Sequence, residues 1–264
     1  MIGQDKLVNQ LNNLNINDFP TSLILCGEVG CGKHTLCSLI QNKFSNWEFN
    51  YVECKIDYDF VESCYLSSIP IFYIINSDKL SEREQNAILK LFEEPPSNVH
   101  IIFLSSSLAL LLPTIINRAV VWTFDKYSRE TLKSFLGDSD SSILDFATTP
   151  GQVLGLTNGN YQNIIDLANL IIDKVNFACT SNVLSLTKKF NLTKDDVSGF
   201  DVVVFTRIMR KLLFNRVKDN DSIKYINAYF VTNEFYKNLL VSTYNKKYIF
   251  QEYILSLKES LNES

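Results

Sequence analysis

No two of the six cysteines (Cys26, Cys31, Cys37, Cys54, Cys64 and Cys179) form a C-x-x-C pair. Zinc ligation therefore has no sequence support, and in a reducing compartment all six read as buried thiols rather than disulfides. No stretch approaches the roughly 18 uninterrupted apolar residues of a membrane span. The opening, MIGQDKLVNQL, lacks a basic segment followed by an apolar one, so no secretory signal is read and the cytoplasm is expected. Under that expectation the sequon at Asn191-Leu192-Thr193 carries no meaning. Positive charge is also in short supply. The net charge is −4 and the pI about 5.3, which argues against a protein that coats nucleic acid through a general basic surface. The imbalance is uneven: residues 201–264 hold ten Lys/Arg against seven Asp/Glu, so the remainder carries −7. Internal repeats and low-complexity tracts are absent.

What is present is an ordinary globular composition, 46% hydrophobic and 20% charged over 264 residues, enough for two or three domains. The first 125 residues alternate apolar runs with helical periodicity. Strands are expected at Ser22 to Cys26, Tyr51 to Ile56, Ile71 to Ile75, Val99 to Leu104 and Val120 to Phe124. A helix is expected over His34 to Phe44. Another starts at Ser81, where Ser81 and Glu84 form a capping box; Ala87, Ile88, Leu91 and Phe92 supply its stripe and Pro95-Pro96 end it. Fully apolar strands alternating with helices predict an α/β domain with a mostly parallel sheet covered on both faces. Beyond residue 125 the strand signal fades. Short helices are expected over Ser128 to Leu136 and Ser142 to Thr148. From Tyr161 onward the pattern is helical, with Ile164, Ile165, Ala168, Ile171, Ile172 and Val175 on one face, then helices over 182–190, 201–218, 222–243 and 247–261. Three parts follow: an α/β domain over 1–125, a small helical lid over 126–159 and an all-helical domain over 160–264.

Residues 27–35, GEVGCGKHT, fit the phosphate loop G-x-x-x-x-G-K. Gly27, Gly30 and Gly32 let backbone N–H groups converge on phosphate oxygens, and Lys33 neutralises their charge. The hydroxyl that should follow the lysine and ligate Mg²⁺ is replaced by His34, a poor partner for a hard cation. Thr35 lies about 100° further round the helix and does not substitute directly. Two readings stay open: a loop that holds ATP or ADP through Lys33 and the backbone, with Mg²⁺ ligation impaired, or a vestigial loop.

Several segments resemble the AAA+ subunits of DNA sliding-clamp loaders. The opening Ile2-Gly3-Gln4 is similar to their "IGQ". Leu23–Leu36, LILCGEVGCGKHTL, resembles "LLFxGPxGxGKTTL". Tyr73–Pro96, YIINSDKLSEREQNAILKLFEEPP, resembles their Walker B strand and the helix that follows it. Asn86–Ser107 resembles "NALLKTLEEPPxNVxFILTT", and Leu111–Phe124, LLPTIINRAVVWTF, resembles "LLPTIxSRCxxxxF". Thr148–Leu156, TTPGQVLGL, resembles the "GSPGxALxL" lid motif of the bacterial DNA polymerase III delta-prime subunit. The blocks cover roughly residues 1–160 in the family's order; beyond that only helical character matches. The four zinc cysteines of that subunit are missing after the phosphate-loop helix, so a reduced bacterial form or a phage-encoded loader both fit.

The resemblance implies an AAA+ P-loop domain, a helical lid and a collar-type C-terminal domain. It also implies a departure from the family's chemistry. Ile75 and Asn76 stand where the Mg²⁺-organising Asp and the water-polarising Glu should be, and neither can do those jobs. Asp78 is read as a turn or cap residue, and Ser105 or Ser106 falls at sensor 1. The sensor-2 arginine would fall near Gly151, where there is none. Losing one transition-state group commonly costs about 10²–10³ in rate, so hydrolysis by this chain alone is not expected. Arg118, by contrast, falls on the arginine of the "SRC" motif. It is expected to act in trans as a finger on a neighbour's ATP. The implied partners are other clamp-loader subunits in a hetero-pentamer, a sliding clamp, and primed DNA reached through the complex; no membrane is implied. The alternatives are an active motor subunit using Asp78 and Thr35 in shifted roles, and a stand-alone P-loop binding module. Glu93 and Glu94 oppose the dipole of the helix they end and are expected to have local partners. Arg207, Arg210, Lys211, Arg216 and Lys218 share one C-terminal helix, read as its solvated face or as a subunit contact.

Overall fold

Alternate residues of each central strand feed two different cores, and this defines the α/β unit. The computed structural model describes residues 1–137, 141–157, 161–174, 202–220, 222–240 and 246–262. Five strands, β1 (Ser22–Cys26), β2 (Glu48–Val52), β3 (Ile71–Asn76), β4 (Val99–Ser105) and β5 (Val120–Thr123), form one parallel sheet in the order β2-β3-β4-β1-β5. Leu23, Leu25, Phe72, Ile74, Ile102 and Leu104 point to one face. Ile24, Cys26, Tyr73, Ile75, Ile101 and Phe103 point to the other. A period of two with apolar residues on both sides is what a sheet covered by helices on both faces demands. The first face packs on α1 (Asp5–Asn13) and α2 (Lys33–Lys43); the second packs on α3 (Tyr58–Leu66), α5 (Leu89–Glu93), which follows α4 (Glu82–Ala87), and α6 (Pro113–Ile116). β2 starts and ends earlier than expected, because Glu48 to Val52 pairs with Ile71 to Ile75.

The capping box of α4 forms as read. Ser81 N–H and Oγ–H donate to Glu84 Oε2 at 2.9 and 2.7 Å, and these bonds hold the Glu84 carboxyl below its usual pKa. The single helix expected there is broken at Ile88. Its φ/ψ of −82°/−9° and the Leu91 N–H to Ile88 carbonyl bond make a tighter i+3 turn, seating Ile88 fully in the core.

An aromatic cluster fills the first face. Phe72 stacks on Phe49 (4.5 Å) and on His100 (4.8 Å), with Phe19, Phe44 and Trp47 around them. His100 is buried, its Nδ1 donates to the Pro20 carbonyl at 3.0 Å, and burial pushes its pKa down against the opposing effect of that bond. The unfolded chain then binds a proton that the folded one refuses as pH falls below about 6.5. Stability should therefore be flat above neutrality and drop as pH falls below about 6.5, the unfolded value. His100→Gln should flatten that segment in a pH series of melting temperatures. An equally steep fall in the variant would assign the effect elsewhere.

The chain splits into two compact units: residues 1–139 with 147–155, and residues 140–146 with 156–264. The first also contains α7 (Arg129–Lys133) and the start of α8 (Pro150–Thr157). The described residues of the second are mostly helical. That unit contains α9 (Tyr161–Lys174), α10 (Val202–Asn220), α11 (Ile223–Leu240) and α12 (Lys246–Asn262), with α10 packed on α9 and α11, and α11 on α12. The apolar stripe of α9 is buried at Ile164, Leu167, Ala168, Ile171 and Ile172. Phe235 and Tyr253 stack at 4.1 Å, and the Tyr253 hydroxyl meets Thr232 Oγ1 at 3.1 Å; burial raises the pKa of that phenol. The helix expected over 182–190, Val175, Cys179 and Asn191 lie outside the described residues. Among the described residues no helix is long and apolar enough to cross a membrane.

Candidate functional site

The carboxyl ends of β1, β3 and β4 converge, as strand ends do at the ligand crevice of an open α/β sheet. The Gly27 N–H donates to the Ser105 carbonyl and the Phe124 N–H to the Cys26 carbonyl, so the loop leaves the sheet already paired on both sides. Gly30 and Gly32 take φ of +83° and +102°, backbone that only glycine adopts freely. The Cys31 N–H closes a turn onto the Glu28 carbonyl, and α2 starts at Lys33 with no side-chain cap.

The chain's own groups bond to the carbonyls and tip of this loop. Lys33 Nζ donates to the Gly27 carbonyl and, at 3.2 Å, to the Glu28 carbonyl. Residues 148–152 lie across its tip. Thr148 Oγ1 donates to Glu28 Oε2 (2.5 Å); Thr149 Oγ1 and Gln152 Nε2 both donate to the Val29 carbonyl (2.9 and 3.1 Å); the Gly151 N–H donates to the Gly30 carbonyl (2.9 Å). A β-carbon on Gly151 would come 2.6 Å from Gly30 Cα, so the two glycines make this approach possible. On another side the Tyr127 hydroxyl donates to the Cys31 carbonyl (2.6 Å). Gln4, almost fully buried, pairs with both backbone groups of Asp125 at 2.8 and 3.0 Å, which ties the N-terminal IGQ segment beside the loop. The lid motif gave the sequence signal for residues 148–152; its contacts with Glu28, Val29 and Gly30, about 120 positions away in the chain, gave none.

His34 and Thr35 are both exposed, and the His34 ring stacks on Tyr51 of β2 at 5.8 Å. Ile75 sits in the second core at 1% exposure, while Asn76 is exposed and accepts the Asp78 N–H at 3.3 Å. Asp78 does more than shape its own turn. Its Oδ1 accepts from the Ser106 N–H (2.8 Å) and lies 3.2 Å from the hydroxyl of fully buried Ser105, tying the end of β3 to the end of β4. Burial pushes the Cys26 and Cys31 thiols up and Cys37 to about 12, so the thiols around the loop are neutral.

Arg118 follows α6, on the opposite side of the sheet from the aromatic cluster. Its Nη1 donates to the Thr114 carbonyl (2.9 Å) and its Nη2 pairs with Glu93 Oε1 (2.9 Å); the side chain is 38% exposed. Glu93 thus has a local partner, and the Glu94 carbonyl accepts the Tyr65 hydroxyl at 2.9 Å. One positioning residue was not foreseen. Gln85, on α4 and nearly buried, donates to the Leu110 carbonyl (3.0 Å) and accepts the Leu112 N–H (2.8 Å), which fixes the entry to α6. Within SEREQNA it reads as one more surface polar residue.

Residues 25–128 match the family model described as DNA polymerase III, delta subunit. The chain is 25% identical over 259 residues to DNA polymerase III subunit gamma of Buchnera aphidicola, covering 76% of this chain and 72% of that relative. It is 33% identical over 78 residues to DNA polymerase III subunit delta' of Haemophilus influenzae, covering 28% of this chain and 24% of that one. Among solved structures it shares its fold with the RuvB Holliday junction branch migration motor of Thermotoga maritima: TM-score 0.50, 18% identity, 83% of this chain and 77% of that one.

Proposed function

We propose that this clamp-loader-like AAA+ protein is a subunit that does not turn over ATP itself and completes the ATP site of a neighbouring subunit. The observation that carries the proposal is a contrast within one unit. The phosphate loop has its carbonyls bonded by Lys33 and residues 148–152 and faces no Walker B acid, whereas Arg118 stands half exposed with its guanidinium already oriented. Of the five N–H donors of an arginine, two are engaged, one by Glu93 and one by Thr114; three remain for phosphate oxygens. A half-exposed ion pair is worth about 0–1 kcal/mol, so Glu93 orients Arg118 without holding it against a phosphate. Residues 126–159 then act as a lid and 160–264 as a collar. The partners are other clamp-loader subunits in a hetero-pentamer, a sliding clamp and primed DNA, in the cytoplasm.

The motor-subunit alternative needs Asp78 and Thr35 in catalytic roles, and the carboxylate of Asp78 is committed to Ser105 and Ser106. The test is reconstitution with candidate loader subunits, measuring ATPase with and without this chain. Turnover should rise on its addition and be absent in the chain alone; steady-state turnover by the isolated chain would reverse the assignment. Lys33→Ala in this chain should change the ATPase of the complex less than about twofold, against a loss of about 10²-fold or more for the same change in a motor subunit. Loss of clamp loading with Lys33→Ala here would mean that this loop is needed.

A further inference from the structure

The helix α10 concentrates charge that the rest of the chain lacks: five Arg/Lys against one Asp, in a protein of net charge −4. Its buried residues Val202, Phe205, Thr206, Ile208, Met209 and Leu213 face the second unit's core. At about 100° per residue, Arg207, Arg210, Lys211, Phe214 and Lys218 fall on the opposite side within an arc of roughly 100°. From Arg207 to Lys218 that stripe runs about 16 Å. Arg216 falls outside it and is neutralised by Asp173 of α9 at 3.0 Å. Arg207 and Lys211 have no hydrogen bond or ion pair among the described residues.

The stripe is not only basic. Phe214 lies in its middle, 40% exposed, and Phe230 of α11 is 63% exposed. The Tyr229 ring lies 6.0 Å from Phe214 and 6.2 Å from Phe230, forming a row of three rings. Lys218 Nζ lies 4.7 Å above the Phe214 ring, and the Arg210 guanidinium 4.7 Å above Tyr236. Arg210 Nε is buried with no hydrogen-bond partner among the described residues. Cations interleaved with exposed aromatic faces match a strand whose phosphates and unstacked bases are both accessible. A duplex hides its base faces, and an acidic peptide would leave the rings in water.

We infer that the α10–α11 face binds single-stranded nucleic acid, with phosphates on Arg207, Lys211 and Lys218 and bases stacked on Phe214 and Phe230. The site lies within the second unit and does not depend on the clamp-loader reading. Fluorescence anisotropy of a labelled oligo(dT) of about 20 nucleotides with the full chain tests it. Binding should weaken with salt at a log–log slope of roughly −2, as three single-strand phosphate contacts require. Arg207→Glu/Lys211→Glu should at least halve that slope. Phe214→Ala should weaken binding about tenfold, and Phe214→Tyr should restore it. Lys6→Glu/Lys126→Glu, the same charge change at exposed positions elsewhere, should leave binding within about twofold. Melting curves of each variant check that it folds. The inference is overturned by no binding at about 50 mM salt, by equal losses in both charge-reversal pairs, or by polyglutamate competing equally with no dependence on Phe214.

Discussion

Arg118→Ala should lower the ATP turnover of a reconstituted complex by about 10³-fold or more, the scale on which arginine fingers act, while the complex still assembles. The reason is charge. The γ-phosphoryl passes through a transition state whose negative charge is spread over its equatorial oxygens, and a planar guanidinium meets two of them at once. Lysine at position 118 should rescue little, because an ammonium keeps the charge and loses the fork. The stability of the chain should hardly move, since the Glu93 pair and the Thr114 bond are both half exposed and worth about 1 kcal/mol or less. That separation of effects gives the experiment its force. Steady-state ATPase in the presence of clamp and primed DNA reads the chemistry, and size-exclusion chromatography reads assembly. Unchanged turnover in an intact complex would remove the finger from this chain. Loss of both would mean that Arg118 holds an interface instead.

The sequence was informative where local chemistry decides structure. SLILC and IFYII could only be buried strands; Ser81 and Glu84 capped their helix through their own backbone; the phosphate loop sat between the strand and the helix it requires. It was least informative where a contact joins distant segments. Glu28 reads as one of the variable positions of the loop, and only its bond to Thr148 makes it part of a closure. Gly151 reads as a missing arginine, yet its lack of a side chain is what lets the backbone reach Gly30. Asp78 reads as a turn residue because its partners, Ser105 and Ser106, come from another strand. Gln85 was invisible for the same reason: nothing nearby in sequence announces Leu110 and Leu112. The break at Ile88 lies between these cases, since an unbroken apolar stripe gives no hint of a tightened turn.

Restoring the missing acids should therefore damage the protein before it restores any chemistry. Ile75 is 1% exposed and lies in one apolar core with Ile24, Tyr73, Ile101 and Phe103. Ile75→Asp would place a carboxyl in that apolar environment and remove a packed side chain at the same time. The expected loss is about 4 kcal/mol or more, read from urea midpoints. Asn76, one residue further, is exposed at the end of β3 and gives up only one long bond to the Asp78 N–H, so Asn76→Glu should cost about 1 kcal/mol or less. The pH dependence identifies the cause. Burial raises the folded-state pKa of the introduced acid above its unfolded value of about 3.9, so the unfolded chain loses its proton first as pH rises. The deficit of Ile75→Asp against the parent should be smallest near pH 4 and widen toward neutrality; a deficit independent of pH would mean lost packing alone. The double variant should show no ATP turnover, because the loop would still carry His34 in place of the hydroxyl that ligates Mg²⁺. Turnover in the double variant would show that the two acids were all that this site lacked.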